Sequence, residues 1–261
     1  MTPSLTDHQF LRYSRQLMVP EISEQGQSQL AQAKVLIIGA GGLGSIAALY
    51  LAGAGIGALW LADGDKVELS NLARQILYRE SDLGQNKAVQ ASTQLSQLNS
   101  TVSIIPLTSH LHDNGLVDAI SRVDLVLDCS DNFTTRYAVN KACMECQIPL
   151  ISGAAIGWQG QVISFGFHQS SSPCYHCLYP QMAKTQTKQN CQTMGVVGPL
   201  VGVIGAFQAL EAIKYFTVPQ SITWGELHRF NGLNNQWQSV QCGSDVSCLV
   251  CQQENENEAL V

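Results

Sequence analysis

The chain has 261 residues, 45% of them apolar, and carries a formal charge of −6. That composition supports a buried core and excludes wholesale disorder. No run of Lys and Arg is present to track a nucleic-acid backbone, so no nucleic-acid partner is expected. The N-terminus, MTPSLTDHQFLRYSRQ, has no apolar stretch of the kind that directs export. Nine cysteines, an odd number without a secretion signal, point to reduced thiols and a cytoplasmic protein.

In chain order, residues 6–19 read as helical and carry Arg12 and Arg15. KVLIIG (34–39) has the short apolar run of a strand, followed by a glycine-rich turn and an Ala/Leu-rich helix to about residue 54. GALWLAD (57–63) is a second strand, 84–99 a helix, TVSIIPL (101–107) a third strand and 113–121 a helix. DLVLDC (124–129) is a fourth strand, NFTTRYAVNKACMEC a helix, and IPLISG (148–153) a fifth strand. This alternation predicts a Rossmann-like, doubly wound α/β fold with a mainly parallel sheet.

After Gly153 the pattern changes. Residues 160–167 read as an antiparallel strand, and about 181–192 as a mobile loop without periodicity. A helix is predicted over 195–216, with further strands near 222–230 and 236–240. Residues 192–210 lack charge over the length of a membrane span, but they hold Gln, Thr and Pro and run into Glu211 and Lys214. A buried or dimer-interface helix is the better reading. One domain is expected: a helical arm (1–30), a doubly wound half (31–155), a C-terminal subregion (156–251) and a frayed tail (252–261).

Gly39-Ala-Gly41-Gly42-Leu-Gly44 follows a strand and opens a helix. Glycines there allow a tight turn and close approach of phosphate to helix N-terminal amides. Asp63 ends the next strand, where an acidic side chain can bind a ribose hydroxyl. ADGDKVELSNLARQ (62–75) puts Asp65, Asn71, Arg74 and Gln75 just beyond strand ends. Lys87 opens the next helix, and Asp131 lies beyond the fourth strand. Cations suit a triphosphate and an acid suits Mg²⁺, so the set favours ATP over a dinucleotide.

Cys174-Tyr-His-Cys177 and Cys248-Leu-Val-Cys251 form two CxxC pairs, a donor set for a tetrahedral, structural Zn²⁺ if the fold unites them. Cys143 and Cys146, at helical i, i+3 spacing, and Cys129 read as packed thiols. Cys242 is a spare ligand candidate, and His176 reads as solvated rather than a ligand. Cys191 precedes a predicted helix N-terminus, a setting that favours thiolate. It is either a nucleophile or an exposed loop cysteine.

RYSRQ, GAGGLGS, LADGDKVELSNLARQ, GQNKA, DLVLDCSDN, PLISGAA, CYHC, NCQTMGVVGP and GVIGAFQALEAIK together resemble the ThiF/MoeB/HesA family, bacterial relatives of ubiquitin-activating enzymes, over about residues 8–251. The resemblance implies a homodimer that binds ATP·Mg²⁺ and adenylates the C-terminal Gly-Gly carboxylate of a ubiquitin-like sulfur carrier. By that likeness Asp63 holds the ribose, Arg74 and Lys87 contact phosphates, Arg15 reaches in from the partner subunit, and Asp131 binds Mg²⁺. It also supports a zinc held by the four paired cysteines, and it implies a nucleotide-binding half over 31–155 and a carrier-binding and zinc subregion over 156–251. RYSRQ, ALYLAGAG, LADGD and NCQTMGVVGP lean toward the thiamine branch, whose carrier is ThiS. There the cysteine matching Cys191 is associated with a disulfide-type link to the carrier. MoaD, the carrier of molybdopterin synthesis, is the alternative substrate. With no rhodanese-like segment recognisable, sulfur is expected from another protein such as a cysteine desulfurase. Two other classes remain open: a non-catalytic nucleotide-dependent binding module and an NAD-dependent oxidoreductase.

Overall fold

The computed structural model describes residues 5–167, 172–180, 195–248 and 250–251. Strands β1 (Lys34–Ile38), β2 (Ala58–Ala62), β3 (Ser103–Leu107), β4 (Leu125–Asp128) and β5 (Leu150–Ile156) pair in parallel, in the order β3-β2-β1-β4-β5. β6 (Gln159–Phe165), β7 (Glu226–Asn231) and β8 (Gln236–Gln241) continue the same eight-stranded sheet antiparallel. The α/β fold expected from the sequence, parallel first and antiparallel after, is the fold observed. β1 and β4 are buried on both faces, as parallel strands between helical layers must be.

Helices α1 (Asp7–Arg12), α2 (Ser14–Leu17) and α3 (Ser23–Leu30) form the N-terminal arm, and α4 (Gly42–Ala54) follows β1. α5 (Lys87–Leu98) precedes β3, α6 (Asp113–Ile120) precedes β4, and α7 (Phe133–Glu145) precedes β5. α8 (Tyr175–Leu178) is a single turn, and α9 (Gly198–Thr217) packs on α4, α3, β5 and β6. α9 is long and apolar enough to cross a membrane, but in this fold Leu200, Val201, Ile204, Ala209 and Ala212 are core residues.

Several boundaries differ from the sequence reading. The expected first helix is broken at Tyr13, whose ring turns inward against Gly55 while its hydroxyl accepts from Asn99 Nδ2 at 2.9 Å. β5 runs on to Ile156 because a turn at Gly157 (φ +55°) folds it back on β6. β7 starts only at Glu226, after Gly225 takes φ +77°. α3 escaped the sequence reading: SEQGQSQL has no apolar period, and it buries a glutamine whose amide donates to the Ala54 carbonyl at 2.9 Å.

Of the described glycines, Gly44 in the turn between β1 and α4 leaves the least room for a side chain. Gly39 takes φ +91°, and a Cβ on Gly44 would stand 1.9 Å from the Gly39 carbonyl oxygen. Gly44→Ala is expected to cost on the order of 3 kcal/mol or more by forcing that turn open. Gly53→Ala, at a helix position with open space around it, should gain ~0.5–1 kcal/mol. Thermal unfolding of the two variants checks this, and equal melting temperatures would contradict the packing argument.

Candidate nucleotide site and cysteine cluster

All five parallel strands end on the same edge of the sheet, and most of the predicted site residues gather there. Gly41 caps α4, whose first amides face that edge. A Cβ on Gly42 would press on Val201 of α9 at 3.0 Å, so small residues set the helix against its neighbour as well as opening the turn. The Asp63 carboxylate accepts from Ala40 N–H at 2.8 Å and Asp65 N–H at 2.9 Å, tying the end of β2 to the phosphate turn. Burial pushes its pKa up, while Lys87 and these two N–H groups pull the other way.

Lys87 is buried at the start of α5, with Nζ 3.0 Å from Asp65 Oδ2. Arg74 is half-buried; it donates to the Ser70 carbonyl at 3.1 Å and pairs with no carboxylate among the described residues. Gln75 is buried with its Nε2 close to Gly41, and its Oε1 has no hydrogen-bond partner among the described residues. Asn71 is committed locally: its Oδ1 accepts from Glu68 N–H at 3.2 Å, holding the turn that presents Arg74. Lys87, Arg74 and the Gln75 amide thus stand on the same edge of the sheet as the glycine turn.

Asp131 is exposed between β4 and α7, beside Asn132, whose side chain caps α7 by accepting from Thr135 N–H at 2.9 Å. It lines a cavity of about 330 Å³ shared with Phe133, Gln161, Tyr175, Tyr179 and Arg229. The cavity runs from the loop beyond β4 to β6 and β7. Gln161 and the Tyr179 hydroxyl, 2.7 Å apart, form part of its polar wall.

Arg15 is not in this site. It is exposed on α2, and Tyr13 anchors the arm at Gly55, Asn99 and Thr101, on the opposite edge of the sheet. The thirteen residues of α4 separate that edge from the glycine turn, a span of roughly 20 Å. Cys191 lies outside the described residues, as do the whole of the expected 181–192 loop and of the 252–261 tail.

Residues that the sequence reading passed over hold this edge in shape. Tyr78 donates to the Ala40 carbonyl at 2.7 Å, closing the phosphate turn from below. Asp128 and Arg136 form a buried ion pair at 3.1 Å, and Gln208 of α9 donates to the Asp128 carbonyl at 3.0 Å. The signal was present: an acid at the end of an apolar strand needs a buried partner.

The cysteine pairs do meet. Cys174 Sγ lies 3.8 Å from Cys177 and 3.7 Å from Cys248, and Cys177 lies 3.5 Å from Cys251. All four sulfurs fall within 4.8 Å of one another. A tetrahedron of sulfurs about 2.3 Å from a central Zn²⁺ has edges of about 3.8 Å, so the donor set and its spacing fit that ion. Hydrogen bonding from Cys174 and from two backbone N–H groups pulls the Cys177 thiol down to about 4, while burial first, then its sulfur neighbours, pushes Cys251 up to about 12. A divalent cation among the four sulfurs would stabilise them as thiolates. Cys242 stays outside the cluster, its thiol against the Val240 carbonyl at 3.6 Å. Cys143 is buried in α7 and Cys129 is buried behind the nucleotide edge, as packed thiols. His176 is half-buried against Tyr137, ring centroids 4.4 Å apart, and not solvated as expected, because α8 turns it inward.

A doubly wound sheet with a glycine-rich turn after β1 and a buried acid at the end of β2 defines a Rossmann-like α/β protein. Residues 13–250 match the model of the ThiF family, and the chain belongs to that family. "Sulfur carrier protein ThiS adenylyltransferase" of Escherichia coli (strain K12) is 45% identical, covering 95% of this chain and 97% of that protein. "Adenylyltransferase and sulfurtransferase MOCS3" of Xenopus laevis is 41% identical over 98% of this chain, which spans only 56% of that longer protein. Among solved structures, E. coli MccB with ATP superposes with a TM-score of 0.79 at 25% identity, over 92% of this chain and 74% of that one.

Cys174→Ser should lower the bound zinc of the purified protein and its melting temperature together, as metal analysis and calorimetry would show. Unchanged zinc content and unchanged melting temperature would contradict the assignment of the cluster.

Proposed function

We propose that this chain adenylates the C-terminal carboxylate of the ubiquitin-like sulfur carrier ThiS, using ATP and releasing pyrophosphate, in thiamine thiazole synthesis. One observation carries the reading: the phosphate turn, Lys87, Arg74 and Asp131 share the sheet edge onto which the cavity beside Asp131 opens, in a chain aligned along nearly the whole of a ThiS adenylyltransferase. In the reaction a carrier carboxylate oxygen attacks the α-phosphorus of ATP. The bond from the α-phosphorus to the bridging oxygen breaks, pyrophosphate leaves with the electron pair, and an acyl-adenylate forms.

The carboxylate is ionised at neutral pH, so no general base is needed. Amides at the start of α4 face the phosphates, and Lys87 and Arg74 stabilise charge on the bridging and leaving oxygens. Asp63 orients the ribose, with Asp65 holding Lys87. Mg²⁺ arriving with ATP would be held at Asp131, where it neutralises phosphate charge. Zn²⁺ at Cys174, Cys177, Cys248 and Cys251 would clip the chain after β8 to α8. The 156–251 region, which lines one side of the cavity and holds the cysteine cluster, is the carrier-binding subregion in this reading, and the unit of function is a homodimer. Cys191 is assigned to sulfur transfer after adenylation, with sulfur from a donor such as a cysteine desulfurase.

A second reading keeps the chemistry and exchanges the carrier for MoaD, in molybdopterin synthesis. The likeness to MOCS3, an adenylyltransferase and sulfurtransferase, favours it over any change of reaction.

Asp131→Ala should retain the fold and lose ATP–pyrophosphate exchange by on the order of 10²–10³-fold. Turnover at the parent level would remove its role. Since Arg15 sits at the wrong end of its own subunit, its assignment requires action in trans. Arg15→Ala and Asp131→Ala, each inactive alone, should regain about a quarter of parental exchange when unfolded and refolded together, through heterodimers with one intact site. A mixture that stays inactive contradicts the assignment.

A further inference from the structure

Arg136, on the first turn of α7, is 7% exposed, and Asp128 at the end of β4 is 1% exposed. Beyond their ion pair, the Arg136 guanidinium donates to Ser152 Oγ at 3.0 Å, to the Gly153 carbonyl at 2.9 Å and to the Ser130 carbonyl. The Asp128 carboxylate also accepts from Ser152 Oγ at 2.8 Å, Ser130 N–H at 3.0 Å and Ser130 Oγ at 2.6 Å. The two charges are thus fully compensated inside the protein. Buried ion pairs of this kind are often replaceable by apolar residues without loss of stability, so compensation alone does not explain one.

What the network holds is the loop from Asp128 to Asn132. Ser130 is pinned to Arg136 by its carbonyl and to Asp128 by its amide, and Asn132 is pinned as the cap of α7. Asp131 stands between these two anchors. On the other side, the Cys129 carbonyl lies where a Cβ on Gly39 would come within 3.0 Å, so the same loop rests directly on the phosphate turn. Ser152 and Gly153 bring in the end of β5, which borders the cavity at Ala154 and Ala155.

We propose that Arg136 is a positioning residue for adenylation: through Asp128, Ser130 and Ser152 it fixes the backbone on both sides of Asp131, and so sets where that carboxylate stands relative to the Gly39–Gly44 turn. The inference rests on the adenylation reading above. Arg136 borders the cavity beside Asp131, but its guanidinium is committed to Asp128, Ser152, Ser130 and Gly153, so it acts through Asp131 and not as a phosphate ligand. A planar guanidinium spans the carboxylate, the hydroxyl and two carbonyls at once; a lysine ammonium at the same place is a single point of charge and cannot.

The test uses the full-length protein with Arg136→Lys and the milder Ser152→Ala, which removes one strut and leaves the ion pair. Each is made alone and combined with Asp131→Ala. Binding of a non-hydrolysable ATP analogue is measured by calorimetry across Mg²⁺ concentrations, alongside ATP–pyrophosphate exchange with ThiS. Misplacing a reactive group by about 1 Å costs on the order of 10²-fold, so Arg136→Lys should lower kcat between ~10- and ~100-fold while leaving KM for the carrier unchanged. It should flatten the Mg²⁺ dependence of analogue binding, with Ser152→Ala showing a smaller effect in the same direction. In the Asp131→Ala background neither substitution should weaken analogue binding further.

Equal losses of binding with and without Asp131, or parental Mg²⁺ dependence in both variants, would overturn the proposal. A parent protein that binds the analogue but shows no exchange with ThiS would sink the functional reading alone, and the binding cycle would still decide the role of Arg136.

Discussion

The architecture of the site depends on how closely the backbone leaving β1 approaches the backbone leaving β4. At Gly39 any side chain would meet the Cys129 carbonyl, and at Gly44 any side chain would meet Gly39 itself. That approach brings the phosphate turn and the Asp131 loop into one wall. Asp63 reaches the turn from β2 by accepting the Ala40 amide, and Tyr78 closes it by donating to the Ala40 carbonyl. Each of these contacts presupposes the glycines, since a turn opened by even one Cβ would carry the amide and carbonyl of Ala40 away from their partners. The charged groups follow: Lys87 is oriented by Asp65, two residues past Asp63, and Arg74 by the turn that Asn71 holds.

A second constraint acts at the far end of the sheet. The antiparallel strands β6 to β8 extend the parallel core, and after β8 the chain must be brought back to it. Cys248 and Cys251 meet Cys174 and Cys177 there, beside the buried Met144 of α7. α7 therefore links the two regions: its first turn carries Arg136 and the Asn132 cap at the nucleotide edge, and its last turn supports the cysteine cluster. The cavity between them is bounded by α7, β5, β6 and α8, and Tyr175 on its wall follows Cys174 directly in the chain.

Much of this was legible in the sequence because it is local. The glycine spacing, the acid at the end of β2, the apolar strands and the paired cysteines are each written within a few residues. What was not legible is pairing across space. Asp128 and Arg136 are eight residues apart, but the reason they matter is Ser152 on another strand and Gln208 on a distant helix. α3 was invisible because its buried residues are mainly glycine, glutamine and serine, which carry no hydrophobic period. The break at Tyr13 was invisible because its cause is Gly55, across the sheet edge. Arg15 was picked out by a motif, yet its position in the fold makes sense as a ligand only for another subunit's nucleotide.

The central claim is that a carrier carboxylate becomes a mixed anhydride with AMP at this edge of the sheet. Intact-mass spectrometry of ThiS and, separately, of MoaD, each incubated with the protein, ATP and Mg²⁺ and quenched in acid, tests it most directly. A species heavier than ThiS by one adenylyl group, absent when the terminal Gly-Gly is deleted, is the predicted result. ThiS and MoaD both left at their starting masses, under conditions where the protein binds ATP, would contradict it.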